Sequence, residues 1–216
     1  MTGSGLPITG VLLAGGLGCR MGGGDKPLKS LGGRPILDLV IERARPQVET
    51  LVLNINGDAG RFAAYGLPIA ADVIDGYAGP LAGILTGMEW SRSQVPDARW
   101  MVSFATDAPF FPRDMVARLI GETEKTGAEM ACARSNERTH PVFALWPIRL
   151  ADELRRAMMD EDMRKIDRWT ERYTIVHVDF KCPEPEIDPF FNINRPEDLT
   201  EAESWLQGHE IASAVS

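Results

Sequence analysis

The residues with the clearest chemical potential begin just after the first apolar run. The segment from Leu13 to Lys26, Leu-Ala-Gly-Gly-Leu-Gly-Cys-Arg-Met-Gly-Gly-Gly-Asp-Lys, packs six glycines into fourteen positions and carries two cations, Arg20 and Lys26. Glycine accepts positive φ and lets backbone amides come close to a ligand. Successive amides in such a turn form an anion-binding nest, so the segment suits a phosphate, with Arg20 and Lys26 adding charge. It is not a Walker loop: counted from Gly18, Gly24 stands where the lysine belongs, and Lys26 is followed by Pro27 instead of a hydroxyl. It is not the dinucleotide fingerprint either, because Met21 stands where the third glycine belongs.

These residues need a frame to position them, and the chain alternates strand-like and helix-like patterns. Strands are expected at Thr9–Ala14, Leu51–Asn54, Pro68–Ala71, Trp100–Ala105, Glu129–Ala133, Pro141–Trp146 and Tyr173–Asp179. Helices are expected at Ile36–Arg45, Asp58–Tyr65, Gly79–Arg92, Pro112–Thr126, Arg149–Asp160, Met163–Glu171 and Glu197–Gln207. Strands separated by helices imply right-handed crossovers and a mostly parallel sheet. Ligands bind beyond the carboxyl ends of such strands. Gly15, Asn54, Asp72 and Asp107 each follow an expected strand, so one fold inference gathers them along one edge.

With 216 residues, the chain fits one domain spanning 1–216, with residues 208–216 as a fraying tail. The net charge of −8 argues against binding nucleic acid through its backbone, which needs a basic face. The three cysteines, Cys19, Cys132 and Cys182, are odd in number and lack CxxC spacing, so a reducing cytoplasm is the expected compartment. No leader is expected at MTGSGLPITG, and no apolar stretch is long enough to span a membrane. His140, His177 and His209 lack metal-ligand spacing, and no Ser-His-Asp set is evident. The charge run from Arg155 to Arg172 reads as a solvated face, part of which could meet a phosphate.

The pattern Leu-Ala-Gly-Gly-x-x-x-Arg-Met-Gly, closed by Asp25-Lys26, resembles the signature of nucleotidyltransferases of the glycosyltransferase-A type. Within them it is most similar to the molybdenum cofactor guanylyltransferases. Further along, Gly79-Pro-Leu-Ala-Gly83, Asp107-Ala-Pro109, His140-Pro141 and Asn192-Ile-Asn-Arg-Pro-Glu-Asp-Leu199 follow that family's order. The chain departs from the pattern at Leu17-Gly-Cys19, where polar or basic residues are common, and at Pro27. The resemblance implies a three-layer α/β/α Rossmann-like fold with a mostly parallel central sheet. It also implies transfer of GMP from GTP to molybdenum-molybdopterin, releasing pyrophosphate, with Mg²⁺ as cofactor.

By position, Leu13, Ala14, Gly15 and Gly16 would line the nucleotide, and Arg20 and Lys26 would hold its phosphates. Asn54 and Asp72 would contribute to the nucleoside pocket, Asp107 would bind Mg²⁺, and Asn192 and Asn194 would lie on the acceptor side. The N-terminal half would bind nucleotide and the C-terminal half the pterin. A monomer is expected, with a molybdoenzyme or its chaperone as a transient partner. Each residue also has a plainer reading: Asp107 as a helix cap, Asn54 as a turn residue, Asp72 as a surface carboxylate, and Asn192 and Asn194 as turn formers. A cytidylyltransferase, a sugar-phosphate nucleotidyltransferase and a non-catalytic nucleotide-binding module remain the alternative functions.

Overall fold

The computed structural model describes residues 7–14, 26–76, 79–182 and 187–215, the last seven by backbone alone. Its centre is β1 (Ile8–Leu13), a continuous apolar run with Val11 and Leu12 fully buried. A strand apolar on both faces must be covered on both. Alternation along the strands divides the buried residues accordingly. Leu12, Leu53, Phe104 and Ala131 join one core with helices α1 (Ile36–Ala44) and α3 (Met115–Thr126). Val11, Val52, Met101 and Cys132 join a second core with α2 (Pro80–Gln94), α4 (Ala151–Asp160) and α5 (Ile166–Thr170). The result is three layers, with a sheet between two helical faces.

The short hairpin β2 (Ser30–Leu31) and β3 (Arg34–Pro35) stands apart from this sheet and turns at Gly32-Gly33, where φ is positive at both glycines. The main sheet contains β4 (Thr50–Asn54), β5 (Ile69–Ala70), β6 (Trp100–Ala105), β7 (Met130–Ser135), β8 (Arg138–Pro147) and β9 (Ile175–Asp179) besides β1. Their order is β5-β4-β1-β6-β8-β7-β9, and β8 alone runs against its neighbours. The mostly parallel sheet is therefore as expected. Its registers pair Leu13 with both Asn54 and Ala105, and Asn54 with Ala70. The carboxyl ends of β1, β4, β5 and β6 are thus level, with Asp72 and Asp107 each two residues past a strand.

Between β7 and β8, where no helix is expected, there is no crossover. Asn136 and Glu137, at φ of 46° and 64°, make a two-residue turn, and so short a link can only return the chain antiparallel. Pairing between β7 and β8 then shifts at Cys132/Ala133, leaving Pro141–Phe143 of β8 as a bulge. The helix expected at Met163–Glu171 is only Ile166–Thr170, preceded by Asp162 at φ 53°. The residues Ala59–Tyr65 form a tight 3₁₀ stretch capped by Asp58. The last helix, α6, runs Pro196–Val215 and continues over residues expected to form a tail.

Candidate active site

Lys26 opens a short 3₁₀ turn, Lys26–Leu28, whose Pro27 is buried and anchors the base of the lysine. Its Nζ lies 2.5 Å from Asp107 Oδ2 and donates to Asn194 Oδ1 at 2.6 Å. Three expected site residues, drawn from opposite ends of the chain, therefore meet at one ammonium group. The Lys26 and Asp107 side chains are 17% and 26% exposed, so the pair is shielded yet reachable from solvent. Asn194 lies on a segment outside any strand or helix. The preceding residue, Ile193, is fully buried, and its amide donates to the Asp107 carbonyl at 2.8 Å. Just beyond, Asp198 Oδ2 accepts from the amides of Asn194 and Arg195, fixing the entry to α6. Asn192 is half-buried two residues before Asn194.

A second group lies beyond β4. The buried Asn54 donates from Nδ2 to Asp72 Oδ1 at 2.8 Å and to the Ala70 carbonyl at 3.2 Å. Asn56 Nδ2 donates to the other Asp72 oxygen at 2.6 Å, and its own Oδ1 accepts from the Asp72 amide at 2.9 Å. The first turn of α2 closes over this network. Gly79, at φ 76°, precedes Pro80 there, and a Cβ on Gly83 would stand 2.4 Å from Asn54 Oδ1. Gly83 is thus a glycine because the Asn54 amide occupies the space a side chain would need.

The two groups are joined through the end of β1. The Leu13 carbonyl accepts from Thr106 Oγ1 at 2.9 Å, and the Ala14 amide donates to the Asn54 carbonyl at 2.9 Å. The Ala14 N–H is spent within the protein. Gly15, Gly16 and Arg20 lie outside the described residues. Among the described residues, no cluster of three or more His, Cys, Asp or Glu could hold a metal by itself. One carboxylate and one amide oxygen nonetheless converge on a single cation. That donor set suits a hard ion whose remaining ligands come from phosphate and water.

Residues 10–175 match the MobA-like NTP transferase domain. A molybdenum cofactor guanylyltransferase of Rhodopseudomonas palustris (strain BisB5) is 53% identical over 193 residues, covering 89% of this chain and 91% of that protein. One from Bradyrhizobium sp. (strain ORS 278) is 53% identical over 196 residues, covering 91% and 92%. The chain belongs to the molybdenum cofactor guanylyltransferases. As a member of that family it is an enzyme of the nucleotidyltransferase class. Among solved structures, molybdopterin-guanine dinucleotide biosynthesis protein A of Archaeoglobus fulgidus superposes with a TM-score of 0.73 at 27% identity, covering 93% of this chain and 99% of that one. A 4-diphosphocytidyl-2C-methyl-D-erythritol synthase of Anaerococcus prevotii, at 14% identity, shares the fold with a TM-score of 0.69, covering 94% and 100%. Among the described residues of this guanylyltransferase, no helix is long and apolar enough to cross a membrane.

Four features of this family member carry little or no signal in the sequence. Asn56 shares Asp72 with Asn54; its signal was the spacing of two in Asn54-Ile-Asn56, which sends both amides to one side of an extended chain. Thr106 ties β1 to β6 and carries no sequence signal beyond its place before Asp107. Gly83 stands in the sequence only as part of a motif, and its reason is steric. Finally, Ser135, His140 and Asp188 do come together, where no such set was evident from the sequence.

Proposed function

We propose that this enzyme transfers GMP from GTP to molybdenum-molybdopterin, forming the guanine dinucleotide cofactor and pyrophosphate. The observation that carries the reading is the convergence of Lys26, Asp107 and Asn194 at the carboxyl edge of the sheet. An acceptor phosphate oxygen attacks the α-phosphorus of GTP, and the bond from that phosphorus to the bridging oxygen breaks as pyrophosphate leaves. Lys26, with Arg20 from the glycine-rich segment, stabilises charge on the phosphates. Such transfer is mainly positioning and electrostatics. A phosphate monoester, with a second pKa of about 6, is already largely ionised at neutral pH and needs no strong base. The neutral amides of Asn192 and Asn194 suit orientation of the acceptor rather than proton removal.

In this reading Asp107 and Asn194 would hold Mg²⁺. When bound, the ion neutralises charge on the phosphate oxygens. Leu13, Ala14, Gly15 and Gly16 line the nucleotide, and Asn54 and Asp72 form the floor of the nucleoside pocket. The chain works as one domain, 1–216, with nucleotide on its N-terminal half and acceptor on its C-terminal half. A groove of about 260 Å³ between α5 and strands β7–β9, lined by Trp146, Asp167, Thr170 and Tyr173 among others, lies in that acceptor half. The enzyme acts as a cytoplasmic monomer and meets its client molybdoenzymes or their chaperones transiently.

The names and identities of the relatives favour GTP over CTP and a pterin over a sugar-phosphate acceptor. Thermal-shift titration with GTP, CTP, ATP and UTP in the presence of Mg²⁺ tests the donor. GTP should stabilise the protein most. Stabilisation by CTP with none by GTP would overturn the assignment.

A further inference from the structure

The catalytic reading uses Asn194 but leaves open what holds its segment, which belongs to no strand or helix until Pro196. The segment is fixed at two ends. At one, Ile193 is bonded to the Asp107 carbonyl. At the other, Asp188 meets the β7–β8 hairpin. Ser135 Oγ lies 2.9 and 2.7 Å from the two Asp188 oxygens and 2.7 Å from His140 Nε2. Asp188 also accepts from Asn136 Nδ2 at 3.2 Å and from the Phe190 amide at 2.8 Å, which starts the turn. Phe190 then packs on the His140 ring at 4.6 Å and against Phe143 and Phe180. Ser135 and His140 are 1% and 8% exposed.

The protons in this chain can be assigned. A carboxylate only accepts, so the single Ser135 hydroxyl proton goes to Asp188. Ser135 Oγ must then accept from His140, which places the imidazole proton on Nε2. Burial holds this imidazole below its ordinary range, so it is neutral and Nε2–H is its one donor. The trio resembles a nucleophile set in composition only. A serine nucleophile needs a bare imidazole nitrogen to take its proton, and here that nitrogen already carries one.

We propose that Ser135, His140 and Asp188 are positioning residues for the transfer reaction, a relay that sets the register of residues 188–194 and so presents Asn194 to Asp107 and Lys26. The proposal rests on the catalytic reading of that trio for its effect on turnover, but its structural half is independent of it. With Ser135 and His140 buried, a polar chain of this kind favours one conformation because each broken member strands another. Asp188→Asn does this: whichever way the amide sits, its nitrogen replaces an oxygen that now accepts from the Phe190 amide or from Asn136 Nδ2.

The test is amide hydrogen exchange on the nucleotide-free protein, combined with turnover. In Asp188→Asn, the amides of residues 190–194 should exchange about tenfold faster, with β1 and β6 unchanged. Turnover should fall about tenfold, and combination with Asn194→Ala should add little further loss. Ser135→Ala should act in the same way and serves if Asp188→Asn does not fold. His140→Gln, which can keep a donor near the Nε2 position, should restore most of the protection that His140→Leu loses. Unchanged exchange at 190–194, uniform loosening of the whole protein, or additive losses with Asn194→Ala would each overturn the proposal, as would failure of all the variants to fold. Should Lys26→Ala retain full transfer while the exchange results hold, the catalytic reading fails and the relay stands.

Discussion

Gly83 offers the sharpest test of how the nucleoside side of the site is built. In Gly83→Ala the new methyl would lie 2.4 Å from Asn54 Oδ1 and 2.7 Å from Leu13 Cδ2, distances that real side chains do not tolerate. The helix itself gains about 1 kcal/mol from losing a glycine. Against that, overpacking a close-fitted site costs about 1–3 kcal/mol. Asn54 has no free direction in which to yield, because its Nδ2 is held by Asp72 and the Ala70 carbonyl. Displacing it forfeits a hydrogen bond to a charged group, worth about 1.5–3 kcal/mol. The net loss of about 1.5–5 kcal/mol corresponds to a fall in Tm of roughly 10 °C for a chain of this size. The stabilisation given by GTP should also shrink. Thermal denaturation with and without GTP measures both. Gly121→Ala in α3 is the control: nothing lies within 4 Å of its Cβ, so it should gain about 1 kcal/mol. A Gly83→Ala protein with unchanged Tm and undiminished response to GTP would refute the steric argument.

Further outcomes concern charge and burial. Lys26→Ala removes the ammonium from between Asp107 and Asn194. It should raise Mn²⁺ affinity of the nucleotide-free protein by about fivefold, the scale of an ion pair still reachable from solvent, while transfer falls by more than about tenfold. Mn²⁺ titration followed by electron paramagnetic resonance checks the first part, and unchanged affinity would count against a shared cation position. Asp107→Ala should likewise lower turnover more than about tenfold in a transfer assay, and full activity would remove it from the metal site. The His140 imidazole is held below its ordinary value by burial, with Asp188 opposing and Arg138 assisting. The unfolded chain therefore takes up this proton first. The stability it contributes is present above about pH 6.5 and is lost as pH falls through the lower folded value. His140→Gln should flatten the profile of Tm against pH in that window, and an unaltered slope would contradict the assignment. Burial pushes the Cys132 thiol up to about 12, so iodoacetamide at pH 8 should label it only after unfolding, and prompt labelling of the native protein would show otherwise.

Much of this fold could be read from the residues because its central strands are buried on both faces. Runs such as Thr9–Ala14 and Trp100–Ala105 are apolar but for Thr9 and Ser103, and the strand-end rule then brings Asn54, Asp72 and Asp107 to one edge. The β7–β8 hairpin was not legible. Its turn uses Asn136-Glu137, and a glutamate at positive φ gives no glycine to mark the place. The bulge at Pro141–Phe143 does carry a local signal, since Pro141 has no N–H to give a ladder and β8 is paired on both sides. At the site, the meeting of Lys26 with Asn194 spans 168 positions, and resemblance alone grouped the two residues before the geometry did. The relay of Ser135 and Asp188 was invisible because a bond between residues 53 positions apart leaves no spacing to notice.

The short ladder between β6 and β8 has a bearing on how the enzyme is made. Their ladder covers only Trp100–Val102 against Leu145–Pro147, and toward the carboxyl edge it is Ile193 that bonds to Asp107. During synthesis the N-terminal parts of a protein leave the ribosome first. The glycine-rich segment, Lys26 and Asp107 all emerge before the residues that bond Asp107 and share the lysine. A nascent chain stopped before Ile193 would therefore carry the charged half of the site without its closing segment, so activity should arise only once residues 193 and 194 have been made.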